Sequence, residues 1–134
     1  MEHSPRPVIL CVDDEPFILN SLGRTFRRDG YTVHRAGTGP EALQLLDQQH
    51  VDLVISDHHM PGMSGEELLD EVHARFPGVI LFMLSGFSVN ALPGSEAGRG
   101  HVERYMPKPW RNQELRDAVR QALAARDDGE GEDE

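Results

Sequence analysis

Four places in this sequence carry side chains suited to metal and phosphoryl chemistry: Asp13-Asp14-Glu15, Asp57, Ser85 and Lys108. Packed carboxylates repel one another and raise each other's pKa when left alone. A hard divalent cation relieves that repulsion. Magnesium prefers oxygen ligands and keeps several waters, so one or two carboxylates plus a phosphate suit it. Beside such a cation and an ammonium group, a carboxylate can attack a phosphoryl group and form an aspartyl phosphate. Lys108 would offset the charge on the moving phosphoryl oxygens, and the Ser85 hydroxyl could hydrogen-bond one of them.

These residues need a scaffold that brings them together. Five short runs read as buried strands, at 7–12, 31–35, 52–56, 79–84 and 102–106. The first, third and fourth are nearly continuous in apolar residues, which suits a parallel sheet covered on both faces. Helical patterns fall between them. Ile18, Leu19, Leu22 and Phe26 recur at three- and four-residue steps, as do Leu68, Leu69, Val72 and Phe76. Leu115, Val119, Ala122 and Leu123 repeat the pattern near the end. Thr38 with Glu41 and Ser64 with Glu67 carry capping-box spacing. Strands alternating with helices imply βαβ units and an α/β doubly wound five-stranded sheet. Ligands bind such sheets at the carboxyl ends of the strands. Asp13-Asp14-Glu15, Asp57, Ser85 and Lys108 follow the first, third, fourth and fifth runs, so they converge on one edge.

The segment 88–101 resists the pattern. It should hold the helix between the fourth and fifth strands, yet it contains Pro93, Gly94, Gly98 and Gly100. Interior proline costs a helix about 3 kcal/mol and each glycine about 1 kcal/mol. A short or irregular helix is expected there, with residues 90–100 the least protected part of the folded core.

Composition narrows the function classes. The 134 residues fit one domain, taken as 1–126, with 127–134 an acidic tail expected to be disordered. The formal net charge of −10 opposes direct binding to nucleic acid or an anionic membrane surface. The one cysteine, Cys11, sits in an apolar run and reads as core. The start of the chain shows no apolar signal-like region, so a reducing cytoplasm is the expected setting.

Taken in order, Asp13-Asp14, Asp57, Met60-Pro61-Gly62-Met63-Ser64-Gly65, Ser85 and Lys108-Pro109 resemble the receiver domain of two-component response regulators, over roughly residues 6–126. The resemblance implies a flavodoxin-like strand order, 2-1-3-4-5, in a (βα)5 fold whose fourth helix is weak. It implies that Asp57 is the phosphoacceptor. Asp14 and Asp57 would ligate magnesium directly, Asp13 through water, and His59 through its backbone carbonyl. Lys108 and Ser85 would assist phosphoryl transfer. Ser85 and Tyr105 would form the switch, with His59 and Phe87 on the rim that governs the lifetime of the phosphorylated state. The Lys108–Pro109 bond would be cis, as X-Pro bonds allow. Lys108-Pro109-Trp110 resembles a receiver subset often attached to phosphodiesterase or kinase modules.

The implied role is signalling rather than enzymatic, beyond self-phosphorylation and slow autodephosphorylation. The implied partners are a histidine kinase or phosphotransfer protein and a downstream protein effector, with phosphorylation-dependent dimerisation compatible. The alternative is a receiver belonging to a larger regulator with an enzymatic or kinase output. A flavodoxin-like cofactor module would need a glycine- or hydroxyl-rich phosphate loop where Asp13-Asp14-Glu15 stands. An aspartate-phosphatase-type hydrolase would need a cap to exclude water, and no insertion of that length is visible. His58 and His59 suggest zinc, but adjacent residues rarely aim at one ion. Tyr105 and Trp110 suit a partner surface or simple packing of the indole on the last helix.

Overall fold

The computed structural model describes residues 6–86 and 101–132, with side chains as far as residue 126. Five strands and four helices are described in this order: β1 (Val8–Val12), α1 (Pro16–Arg28), β2 (Thr32–Ala36), α2 (Gly39–Gln48), β3 (Leu53–Asp57), α3 (Gly65–Arg75), β4 (Ile80–Ser85), β5 (Arg104–Pro107) and α4 (Asn112–Glu132). The strands form one parallel sheet in the order β2-β1-β3-β4-β5. The expected runs are all present, each shifted by one or two residues from its sequence-based bounds. The irregular helix expected at 88–101 falls outside the described residues apart from His101, and so does Phe87.

The continuous apolar strands are explained by two cores, one on each face of the sheet. Ile9, Cys11, Leu53, Ile55, Phe82 and Leu84 face Leu22 and Phe26 of α1 and Leu115 and Val119 of α4. Leu10, Val12, Val54, Leu81 and Met83 face α2 and α3 through Leu43, Leu46, Leu68, Leu69 and Val72. Successive side chains on a strand point to opposite faces, so a strand covered on both sides must be apolar throughout. Cys11 is fully buried, and burial pushes its thiol up to about 12. It is core, as its position suggests.

Local chemistry sets the helix ends. At α3, Ser64 Oγ accepts from Glu67 N, and Ser64 N donates to Glu67 Oε1, completing the capping box. At α2 only half of the box forms: Thr38 Oγ1 accepts from Glu41 N, but Glu41 turns to Gly37 N instead. Gly30 closes α1 with a φ of 94°, which L side chains rarely adopt. The backbone of α4 continues as helix to Glu132, past the boundary at 126 where the sequence suggests irregular acidic chain. Arg126 anchors that helix to the sheet through Asp52 Oδ1 at 3.1 Å.

Candidate phosphorylation and metal site

The carboxyl ends of β1, β3, β4 and β5 meet along one edge of the sheet. Asp13 follows β1 directly, and its backbone N–H extends the pairing to the Ala36 carbonyl. Its carboxylate is fully buried, and Oδ1 accepts the Glu15 N–H at 2.9 Å. That turn feeds the chain into α1, whose first turn begins with Pro16. Asp14 lies beside it and is exposed. Asp57 ends β3, opposite Leu84, and is only 5% exposed. Ser85 ends β4 and is buried. Lys108 follows β5, with its N–H donating to the Ser85 carbonyl at 2.8 Å and a cis bond to Pro109.

Side-chain oxygens of Asp13, Asp14 and Asp57 lie within 4.8 Å of one another. The Lys108 ammonium stands over them, 3.2 Å from Asp57 Oδ1 and 3.3 Å from Asp13 Oδ2. It is the one lysine among 13 basic residues of the chain. Burial raises the Asp13 pKa, and the Asp57 charge adds to the rise against the opposing pull of Glu15 N–H and Lys108. Burial alone would lower the Lys108 pKa, but the Asp13 and Asp57 charges outweigh it and hold the ammonium protonated. One ammonium against three carboxylates leaves a surplus of negative charge in a cleft open at Asp14. A hard, partly hydrated divalent cation fits that donor set.

The loop from β3 to α3 is tied at both ends. His58 N donates to the Leu84 carbonyl at 2.8 Å, and Gly65 N donates to the His58 carbonyl at 2.9 Å. The two histidines part company. The His58 ring turns to Glu66 on α3, with 3.4 Å between Nε2 and Oε2, while His59 is exposed. Among the described residues, the acidic trio is the only group of three His, Cys, Asp or Glu donors gathered closely enough for a metal. Tyr105 on β5 pairs with Met83, two positions before the Ser85–Pro107 pair. Tyr105 and Ser85 therefore share one face of the sheet.

Two features escaped sequence reasoning. Gly65 lies so close to the Asp57 carbonyl that a methyl group there would overlap the oxygen. Beside the acidic cleft, Phe17, Ile18, Lys108, Pro109 and Trp110 line a groove of about 540 Å³. Phe17 is 77% exposed at its rim. Trp110 packs half-buried against the α1–α4 core, and it also lines this groove. Only the spacing of Phe17 outside the apolar stripe of α1 hinted at that surface.

The model of the response regulator receiver domain matches residues 9–120. The hydrogenase transcriptional regulatory protein HoxA of Cupriavidus necator is 37% identical over 120 residues, covering 87% of this chain. The chain spans only 24% of that relative's length. Among solved structures, the signal receiver domain of an HD domain-containing protein from Pseudomonas fluorescens superposes with a TM-score of 0.85 at 40% identity, covering 92% of this chain and 99% of that one. The response regulator protein TrrA from Thermotoga maritima, in complex with magnesium and BeF, gives 0.76 at 31% identity, over 86% of this chain and 97% of that one.

Proposed function

The chain belongs to the receiver-domain family of two-component response regulators, and on that premise we propose that Asp57 is its phosphoacceptor. The observation that carries the reading is the position of Lys108, shared between Asp57 and Asp13 at the edge of the acidic cleft. An Asp57 oxygen attacks the phosphorus of a phosphohistidine or a small acyl phosphate. The new O–P bond forms as the bond to the donor nitrogen or oxygen breaks, and the electron pair leaves with the donor. Asp13, Asp14, Asp57 and the His59 carbonyl would hold magnesium, which supplies positive charge to the phosphoryl oxygens when bound. Lys108 would supply a second positive charge from its place beside Asp57 and Asp13. Ser85 then hydrogen-bonds a phosphoryl oxygen, and its inward movement biases the packing of Tyr105 on the same face.

The donor is a histidine kinase or phosphotransfer protein, and the groove at Phe17 and Trp110 offers it an apolar seat beside Lys108. The readout is a changed protein-binding surface. A second reading places the domain inside a larger regulator, because the chain covers 24% of the length of HoxA.

Intact-protein mass after incubation with an acyl phosphate and magnesium tests the assignment. The wild-type chain gains one phosphoryl group and loses it slowly. An Asp57→Asn variant that still gains it would sink the reading.

A further inference from the structure

We infer that Met63 is a reversible oxidation site whose sulfoxide separates the β3–α3 loop from α2. Three observations converge on it. First, the Met63 side chain fills the space above Gly39, the first residue of α2. A methyl group on Gly39 would lie 2.5 Å from Sδ and 3.0 Å from Cβ and Cγ of Met63, so nothing larger than hydrogen fits between them. Second, Met63 is half-buried, whereas Met60, Met83 and Met106 are 6%, 1% and 3% exposed. Among the four methionines of the described residues, Met63 is the one that is not buried, so its side chain needs the least opening of the fold to meet solvent. Third, the loop that carries Met63 is closed on itself by the Gly65 N–H to the His58 carbonyl, and Gly65 is wedged against Asp57. A loop pinned at Asp57 and resting on Gly39 of α2 through Met63 can pass a change at that side chain on to the helix.

The chemistry is balanced by a hydroperoxide. The Met63 sulfur lone pair attacks one peroxide oxygen, an S–O bond forms, the O–O bond breaks, and water or an alcohol leaves. Sulfur loses two electrons and the peroxide gains them. The product is polar, chiral and bulkier at sulfur. Its oxygen has no room on the Gly39 side, and the carbon neighbours that Met63 packs against offer it no hydrogen bond. The sulfoxide is accommodated by turning the side chain towards solvent, which opens the seam between Gly39 and Met63 and releases the loop bearing His58 and His59 from α2. A sulfoxide reductase would restore the contact. This inference does not depend on Asp57 accepting a phosphoryl group, and its readouts are independent of phosphorylation.

The experiment treats the full chain with hydrogen peroxide, maps the added oxygen by peptide fragmentation, and follows backbone amide shifts. Met63 should gain one oxygen, about 16 Da, at least about tenfold faster than Met60, Met83 and Met106, which wait for opening of the core. Met1 lies outside the described residues and is mapped separately. The amides of Gly39, Ala42, His59 and Gly62 should shift together with that oxygen. In Met63→Leu those amides should stay still under peroxide. Gly39→Ala should displace the same loop amides without any oxidant, because the new methyl group occupies the seam. Comparable oxidation of the three buried methionines would overturn the inference. So would a Met63 sulfoxide that leaves Gly39 and the loop unmoved, or a Gly39→Ala variant whose loop amides match the wild type.

Discussion

Gly65, the first residue of α3, sits directly against the backbone carbonyl of Asp57, with no room for a Cβ between them. The helix start and the end of β3 thus touch through main chain alone.

Gly65→Ala should therefore cost about 2–3 kcal/mol of stability, because the obstruction is a backbone atom and not a flexible side chain. Urea denaturation measures the loss. A midpoint equal to that of the wild type would show that α3 can back away freely.

Asp13→Asn should stabilise the metal-free domain by about 1–2 kcal/mol at neutral pH while weakening magnesium binding. The Asp13 pKa is raised in the fold, chiefly by burial and then by the Asp57 charge. A carboxyl raised above its unfolded value of 3.8 is an ionisation cost to the fold. That cost is absent below the unfolded pKa and grows until pH passes the folded one. Thermal melts in chelator across pH should show the variant's advantage at neutral pH and its disappearance in strong acid. An advantage that persists at acid pH would assign it to another cause.

Lys108→Ala should lower metal-free stability by about 1–3 kcal/mol, since it leaves the Asp13 and Asp57 carboxylates facing each other with no cation between. Saturating magnesium should return more stability to this variant than to the wild type. Paired melts with and without magnesium check this, and equal gains in the two proteins would contradict it. Phosphoryl uptake should fall as well, which intact-protein mass records.

Asp52, at the opposite end of the sheet, should contribute stability at neutral pH and lose it in acid. Burial would raise its pKa, but the Val8 N–H, His50 and Arg126 outweigh burial and depress it. Its contribution is complete above the unfolded value of 3.8 and disappears as pH falls through the lower folded value. Asp52→Asn should cost about 1–3 kcal/mol at pH 7, with the gap from wild type closing in acid. A gap that does not change with pH would mean that the Asp52 charge is irrelevant and only its shape matters.

Much of this arrangement was legible because each signal was local. Continuous apolar runs such as Val8–Val12 are required by two-sided burial, and Asp57 and Lys108 could be placed once the strand ends were known. Ser64 and Glu67 formed their full capping box because the two residues need only each other. Glu41 did not follow the same rule, because Gly37 N–H competed for its carboxylate. Contacts between distant segments left no such trace. Nothing adjacent to Gly39 in sequence announces Met63, and nothing adjacent to Asp52 announces Arg126. The acidic composition after residue 126 suggests irregular chain, and the helix begun by the apolar stripe of α4 runs on to Glu132.

Lys108, the chain's single lysine, concentrates all of the protein's side-chain amine reactivity inside one cleft. Every other cationic side chain except histidine is a guanidinium, which stays charged and does not acylate under mild conditions. Apart from its amino terminus, the protein therefore offers an amine-directed reagent a single target. That target is protonated and held by two carboxylates, so it should react slowly while they hold it. The extent of labelling at this one position thus becomes a direct chemical gauge of whether the cleft is closed around its ammonium.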